Sequence, residues 1–197
     1  MIYVIHPDVR NYMSYVLDSK EARRVLGPDT TFHFDQRPVS WREQWRPMPI
    51  SFAKVAGVKK AAMPDLMIRN GRLFLNEKAH AALQNLLTPC GEWLPVDVNG
   101  DTGYLFNILA LADSVDGLDL RLCSKNSFGE LQSLGFIENK VDTFPVFRTA
   151  FDNYMGAYCN DAFKRAAEKA KLVGIIFSED LGNIFPPDGS AEKPKTH

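Results

Sequence analysis

Short runs of apolar residues, each closed by glycine, proline or polar residues, predict several strands and a few helices. Residues 2–6 are rich in β-branched and aromatic side chains, which is typical of an opening strand. Ser19 can cap a short helix that Gly27 and Pro28 would end. Residues 31–35 alternate in a strand-like way. The first part of the chain therefore predicts small elements joined by turns.

The middle of the chain carries the clearest local signals. Asn76 is a favourable helix cap, and the apolar stripe that follows it continues to Leu87. Residues 93–98 and 104–109 have the composition of strands. Between them, the sequence Asn-Gly-Asp-Thr-Gly at 99–103 favours a hairpin, because asparagine and glycine tolerate a positive φ. We therefore expect two neighbouring antiparallel strands here.

The last third of the chain predicts short strands and one more helix. The expected strands are at residues 118–123, 144–147 and 174–177. Asn160 or Asp161 is expected to cap a helix that runs to about Leu172. Because strands and helices do not alternate regularly, the pattern favours an α+β fold over a doubly wound parallel sheet. We expect mostly antiparallel sheets with a few packed helices in a single globular unit.

Composition divides the chain into three segments. Residues 1–62 are interpreted as an N-terminal section of the same globule. Within it, residues 36–52 hold three prolines and two tryptophans, which predicts an irregular loop. Residues 63–185 form the main body. Residues 186–197 are polar and contain prolines, so we expect a frayed tail.

Composition also narrows the class of protein. The chain has 197 residues, of which 45% are apolar and 24% charged, as in an ordinary globular domain. No apolar run approaches the ~18 residues of a membrane span, and the first ten residues lack the features of a secretory signal. The cysteines at 90, 123 and 159 form no closely spaced pair, which favours free thiols in a reducing compartment. We expect a cytoplasmic protein with no membrane partner. The net charge of −1 disfavours nucleic acid as a partner.

Charge is unevenly distributed along the chain. No lysine or arginine occurs from Ala79 to Leu120, whereas that stretch holds several carboxylates. A segment of one charge sign gives a negative field, which favours a basic partner. The carboxylates predicted to contact such a partner are Asp97, Asp101, Asp113, Asp116 and Asp119. Chance clustering on scattered loops is the alternative interpretation, and the sequence leaves both open.

Trp41 and Trp45 lie in an unusual Trp-Arg-Glu-Gln-Trp-Arg stretch. Tryptophan and arginine are enriched at interface hot spots, so this stretch is a second candidate contact patch. The same residue types can stack on bases or hold phosphates. In the alternative interpretation, both indoles pack onto the core and the arginines are solvated.

Catalytic chemistry is only weakly indicated. The sequence has no GxGxxG, GxxxxGK[ST], GxSxG or HExxH motif. His6 precedes Asp8 by two residues, and His33 stands at the same spacing from Asp35. On a strand, such a carboxylate could orient a general base. The acidic run at 113–119 lacks the ligand spacing of a calcium loop. We therefore expect no catalytic residue, no metal and no cofactor.

A series of short motifs follows Met63. They are Pro64-Asp65-Leu66, Leu73-Phe74-Leu75-Asn76-Glu77-Lys78-Ala79, Leu94-Pro95-Val96-Asp97-Val98, Tyr104-Leu105-Phe106-Asn107, Val115-Asp116 and Gly174-Ile175-Ile176-Phe177. In order and spacing, this series resembles the bacterial polymorphic-toxin immunity proteins, specifically the eleventh class in the usual catalogue, once described as a domain of unknown function. The N-terminal 62 residues match only loosely.

The resemblance implies a protein that binds and neutralises a cognate toxin and performs no catalysis. It assigns residues 63–185 to the core of the family and gives no catalytic residue to carry over. The matched residues also have a structural interpretation, in which Pro64 fixes a turn and Asn76 caps a helix. Two other functions stay open, a small enzyme that uses a His/Asp pair and a regulatory module that binds a protein of the same cell. The oligomeric state is not predicted.

Overall fold

The computed structural model describes residues 1–184. The helices are α1 (Ser19–Leu26), α2 (Glu77–Leu87), α3 (Glu138–Val141) and α4 (Asp161–Lys169), with 3₁₀ turns at Thr88–Cys90 and Ala112–Val115. The strands are β1 (Ile2–Pro7), β2 (Ser14–Val16), β3 (Ser51–Ala53), β4 (Leu66–Arg69), β5 (Arg72–Leu75), β6 (Gly91–Val98), β7 (Asp101–Ile108), β8 (Ser124–Lys125), β9 (Leu131–Ser133), β10 (Val146–Phe147), β11 (Tyr158–Asn160) and β12 (Ile175–Ser178). The tail expected at 186–197 lies outside the described residues.

Two four-stranded antiparallel sheets form the framework. Sheet I has the strand order β10-β11-β1-β12, and sheet II has the order β4-β5-β7-β6. The strands β2 and β3 form one separate ladder, and β8 and β9 form another. All these ladders are antiparallel. The prediction of a single α+β unit with mostly antiparallel sheets is therefore confirmed.

Local signals at the centre of the chain are confirmed. The strands β6 and β7 pair over their whole length as the predicted hairpin. Asn99 and Gly100 join them with φ values of 56° and 95°, which a two-residue type I′ turn requires. Asn76 caps α2 by accepting the amide of residue 79 at 2.9 Å, and Asn160 caps α4. The asparagines therefore predicted one turn and two helix starts correctly.

Two predictions in the N-terminal section were wrong. The cap of α1 is Asp18, whose carboxylate accepts the Lys20 amide at 2.7 Å, and not Ser19. Residues 31–35 form turns and no strand. The amides of residues 34 and 35 both donate to the carbonyl of Thr31, and these local hydrogen bonds replace a strand ladder.

The strand expected at residues 118–123 is also absent. Leu118 makes a single bridge to Phe136, after which the chain turns. The turn is fixed because the Asp119 carboxylate accepts the Arg121 amide, a local alternative to strand pairing. The strand expected at 144–147 is reduced to its last two residues, β10.

The largest apolar core joins both sheets to α2 and α4. Sheet II contributes Leu73 and Phe106, and sheet I contributes Cys159. Leu83 of α2 and Phe163 of α4 pack against them. A second core on the other face of sheet I packs β1 and β11 against the segment between residues 110 and 141. Both faces of sheet I are therefore covered.

The N-terminal segment, defined as residues 12–52, covers the remaining face of sheet II. Phe32 and the two tryptophans pack on the row formed by Met67, Phe74, Leu105 and Leu94, which are cross-strand neighbours. The segment therefore serves as a layer of the fold, although residues 27–50 within it form no helix and no strand. Such a layer needs other partners for its buried backbone groups, because it forms few ladder hydrogen bonds of its own.

A row of polar residues on sheet II supplies these partners. Arg69, Arg72, Asn107 and Glu92 lie directly opposite one another across β4, β5, β7 and β6. Facing residues share one side of the sheet, so all four side chains reach the N-terminal segment. The three residues at positions 69, 72 and 107 donate to the backbone carbonyls of residues 15, 35 and 39 at 2.8–2.9 Å.

Glu92 completes this polar row as an acceptor. Its buried carboxylate accepts the Trp41 amide at 2.7 Å, the Ser40 hydroxyl at 2.7 Å and the Asn107 side chain at 2.8 Å. It is also one of the negative charges that act on the buried Arg72 guanidinium. Removal of such a buried partner leaves donors and a charge without compensation.

Glu92→Ala is expected to lower the free energy of unfolding by about 3–5 kcal/mol, the range for breaking a buried charge network. Urea unfolding followed by tryptophan fluorescence measures the change. The matched control is Glu43→Ala, which removes an exposed carboxylate from the same segment and is expected to change stability by less than about 0.5 kcal/mol. Equal effects of the two substitutions would contradict the role assigned to the polar row.

Candidate protein interface

The His/Asp pairs considered for catalysis do not form. His6 is buried, and neither of its ring nitrogens has a hydrogen-bond partner within residues 1–184. The Asp8 carboxylate instead accepts the side chain of a neighbouring asparagine at 2.9 Å. Asp35 binds Arg37 at 2.6 Å, and these hydrogen bonds lower the pKa of Asp35 to about 2. His33 leaves its Nδ1 atom without a partner, so neither pair supplies an oriented general base.

Trp41 and Trp45 lie in the core, each with 7% of its surface exposed. Their rings pack on Phe32 with centroid distances of 5.2 and 4.9 Å. The interpretation that both indoles pack onto the core is therefore confirmed. This burial corrects the second candidate patch, because the two side chains offer little surface to a partner.

The five predicted aspartates form two groups. Asp97 and Asp101 flank the hairpin tip and are exposed. Asp113, Asp116 and Asp119 come after the opposite end of β7, a strand that spans about 24 Å from Asp101 to Ile108 at ~3.4 Å per residue. The structure thus brings the last three together along the chain and separates them from the first two. The two groups therefore flank different ends of β7.

The second group of aspartates is partly engaged in structure. Asp113 accepts the amide of residue 150 at 2.9 Å. Asp119 pairs with Arg121 at 2.7 Å, and this hydrogen bond lowers the pKa of Asp119. Asp116 is exposed and adopts a left-handed backbone with a φ of 49°. The three carboxylates therefore keep a net negative charge, although Arg121 offsets the charge of Asp119.

An arm beside these aspartates carries unusual apolar exposure. We define the arm as residues 118–136, which include the β8–β9 ladder and belong to neither sheet. Leu120, Leu122 and Phe128 within it are 69%, 59% and 87% exposed. Single exposed apolar residues are common, but three large ones on one arm indicate a contact surface.

Local hydrogen bonds shape the arm and present Phe128 at its tip. The Asn126 side chain accepts the amides of Phe128 and Glu130, both at 2.9 Å. At the base, the amide of Asp119 donates to the Gly135 carbonyl at 2.9 Å. The Phe128 side chain is therefore held outward by a closed turn instead of folding onto the core.

A groove of about 760 Å³ runs along one side of the arm. Its apolar lining includes Phe128, Leu131, Phe151 and Met155. Its charged lining residues are Lys125, Glu130, Asp152 and Asp180. A cleft of this size accommodates a few side chains of a partner.

The floor of the groove is a rigid turn. Asn153 and Tyr154 both have positive φ values, 58° and 61°, which are uncommon for residues other than glycine. The buried Arg148 guanidinium donates to the Tyr154 carbonyl, and Asp152 accepts the Gly156 amide at 2.8 Å. These buried hydrogen bonds hold the strained backbone in place, so the groove is formed before any partner binds.

Residues 1–184 contain neither a metal site nor a membrane-spanning helix. In residues 1–184, no group of three or more His, Cys, Asp or Glu side chains is placed to hold a metal ion. In the same residues, no helix is long and apolar enough to cross a membrane.

Comparison with known proteins adds no assignment: no family model matches this chain, and no curated protein matches it either. The resemblance to immunity proteins, which rests on the motifs after Met63, thus stays a prediction.

Sequence reasoning missed the arm because it assigned residues 118–123 to a strand. The available signal was the Asn126-Ser127-Phe128-Gly129 turn, which places a large aromatic residue among turn formers. His80 of α2 is half-buried. It stacks on Tyr104 with a centroid distance of 3.7 Å, and burial lowers its pKa.

His6→Leu is expected to flatten the dependence of stability on pH. Burial lowers the pKa of His6, opposed by Asp180, so the unfolded chain binds a proton near pH 6.5 that the folded chain resists. The contribution of neutral His6 to the stability of the wild-type protein is therefore complete above about pH 6.5. As the pH decreases below 6.5, the free energy of unfolding decreases by at most ~1.4 kcal/mol per pH unit, because one proton is involved. Urea unfolding from pH 7.5 to 5.5 measures the difference between the two proteins. A parallel loss of stability in both would contradict the assignment to His6.

Proposed function

We propose that this chain is an immunity protein of the polymorphic-toxin type, which binds a cognate toxin in the cytoplasm, occludes it and performs no catalysis. Two observations support the proposal. The motifs after Met63 resemble that family in order and spacing. The arm presents an apolar surface beside exposed carboxylates, which is the composition that a steric inhibitor needs.

The exposed apolar residues of the arm carry the proposal. Burial of a leucine or phenylalanine side chain contributes about 1.5–3 kcal/mol, so Leu120 and Phe128 could act as anchors for a partner. The carboxylate of Asp116 precedes the arm in sequence, that of Asp119 lies at the base of the arm, and both add a negative field. Complementary charge mainly accelerates encounter, whereas buried anchors slow dissociation.

Co-expression with the protein encoded by the adjacent reading frame tests the proposal, which requires that this protein contain a domain that is toxic when expressed alone. We expect growth to be restored, and we expect the two purified proteins to form a complex. A regulatory module of the same cell would use the same arm but would give no protection. Growth arrest despite full expression of this chain, together with no complex, would overturn the proposal.

Phe128→Ala is expected to weaken binding of that toxic domain by about tenfold or more, as for a typical interface anchor. Stability should not change, because the side chain is 87% exposed. The matched control is Phe34→Ala, an exposed phenylalanine outside the arm, for which we expect no change in affinity. Calorimetry on the purified pairs measures both values, and an equal effect of the two substitutions would exclude the arm as the contact surface.

Neutralising the aspartates beside the arm is expected to slow association. The triple variant D113N/D116N/D119N should reduce the association rate about tenfold at low salt, with a smaller effect at high salt. Asparagine retains the acceptor oxygens and tolerates the left-handed backbone at position 116. The control D97N/D101N neutralises the hairpin-tip group. Identical rates for the wild type and the triple variant, measured by surface plasmon resonance, would remove these carboxylates from the interface.

A further inference from the structure

The hairpin tip of sheet II extends beyond the neighbouring strand, which leaves part of one strand edge unpaired. The strand β5 ends at Leu75, which lies opposite Tyr104, whereas β7 begins three residues earlier, at Asp101. After Leu75 the chain leaves the sheet and enters α2 through Asn76. Residues 101–103 of β7 therefore have β6 on one side and no strand on the other side within residues 1–184.

The backbone of Thr102 points toward this open edge. In a two-residue hairpin the closing pair exchanges both of its ladder hydrogen bonds, so the next pair, here Asp97 and Thr102, directs its backbone groups away from the hairpin. Asp97 does so on its own side, because its amide donates to the Met48 carbonyl at 3.0 Å and its carbonyl accepts the Ile50 amide at 2.9 Å. Thr102 is exposed and makes no such bonds within residues 1–184. One donor and one acceptor are therefore available to an added strand.

A cavity of about 590 Å³ lies at this open edge. Its apolar lining includes Met63, which is 46% exposed, and the half-buried side chains of Val98 and Tyr104. Thr102 belongs to the same lining, so a segment that occupies the cavity meets the free backbone groups. Addition of an extended peptide to an exposed strand edge is a common mode of recognition, in which backbone hydrogen bonds provide affinity and side-chain pockets provide specificity.

The charge of the cavity favours a basic segment. Glu77 and Asp101 line it, are exposed and form no ion pair within residues 1–184. The cation among the lining residues, Lys78, is already bound to the Asp65 carboxylate at 2.7 Å and to the Lys171 carbonyl at 3.1 Å. Lysine or arginine side chains of a partner therefore meet complementary charge without displacing a contact of the fold.

We propose that an extended, basic segment of a partner protein adds to sheet II at Thr102, beside the end of β5, with its cationic side chains at Glu77 and Asp101. The backbone hydrogen bonds fix the direction of the segment, and its alternating side chains reach both faces of the sheet edge. None of the residues that line the cavity belongs to the arm. The proposal therefore goes beyond the proposed function and does not depend on it.

Short peptides test the site with the full-length protein. The probe is Ac-Val-Lys-Val-Lys-Val-NH2, and the matched control carries glutamate in place of both lysines. Binding is followed by amide chemical shifts. We expect shifts at residues 76–78 and 101–104, and a Kd about tenfold lower for the lysine peptide because its charge is complementary to the cavity. Equal affinity for the two peptides, or shifts confined to other residues, would overturn the proposal.

Thr102→Pro tests the backbone pairing. Proline lacks the N–H donor and is tolerated on a strand where that donor faces away from the ladder, so the β6–β7 hairpin is retained. We expect the affinity for the lysine peptide to fall about fivefold, as for the loss of one hydrogen bond. The control Thr102→Ala keeps the amide and is expected to leave the affinity unchanged. Equal affinities of the two variants would exclude strand addition.

If the proline variant does not fold, the peptide is changed instead of the protein. One version is N-methylated at both lysines, and another is N-methylated at the central valine. Because only one edge of the peptide faces Thr102, we expect one version to lose affinity and the other to keep it. The same affinity for both versions would contradict pairing at this edge.

The double variant E77Q/D101N tests the charge. We expect it to weaken binding of the lysine peptide about fivefold at low salt and less at high salt. The control E43Q/E179Q removes two exposed carboxylates that do not line the cavity and is expected to leave the affinity unchanged. An equal loss in both double variants would assign the effect to the net charge of the protein and overturn the site. Failure of the peptide tests leaves the arm and the proposed function unaffected.

Discussion

A buried backbone segment without regular structure must find hydrogen-bond partners from outside itself, and the polar row of sheet II meets that requirement here. Arg69, Arg72, Asn107 and Glu92 each bind the backbone of the N-terminal segment, at residues 15, 35, 39 and 41 respectively. The prolines at 28, 38, 47 and 49 oppose a strand or a helix over residues 27–50, where none is formed. The row thus converts an irregular chain into the layer that closes the second face of sheet II.

The same constraint extends to the groove through a second buried arginine. Arg148 donates to the Gln36 carbonyl of the N-terminal segment and to the Tyr154 carbonyl of the groove floor. Its guanidinium packs on Gly71, where a φ of 68° and the absence of a Cβ give it room. Burial and the nearby Arg72 lower the pKa of Arg148 to about 10, so it stays charged at neutral pH. The groove floor is therefore fixed by contacts that cross from one half of the chain to the other.

The sequence predicted the elements whose causes are local. The turn at Asn99 and the caps at Asn76 and Asn160 depend on the residue and its immediate neighbours, and all three are present. The sequence left open whether the two tryptophans are buried or exposed to a partner. Their burial depends on tertiary contacts with Phe32 and sheet II, which the sequence does not show. The role of Glu92 could not be predicted, because an acidic residue in an acidic stretch looks exposed until its cross-strand partners are known. The arm was missed because its exposure depends on a ladder that stands apart from both sheets.

The polar groups that the sequence offers for catalysis are engaged in structure within residues 1–184. Asp35, Glu92 and the carboxylate of Asp8 are engaged by structural donors, and His6 is enclosed without any partner. A catalytic site needs a nucleophile or base that is both oriented and accessible, and these groups fail one requirement or the other. On the arm and in its groove, large apolar side chains stand beside carboxylates. A surface of that kind lowers the free energy of a complex without acting on any bond, so its specificity must come from the shape and charge of the partner that fills it.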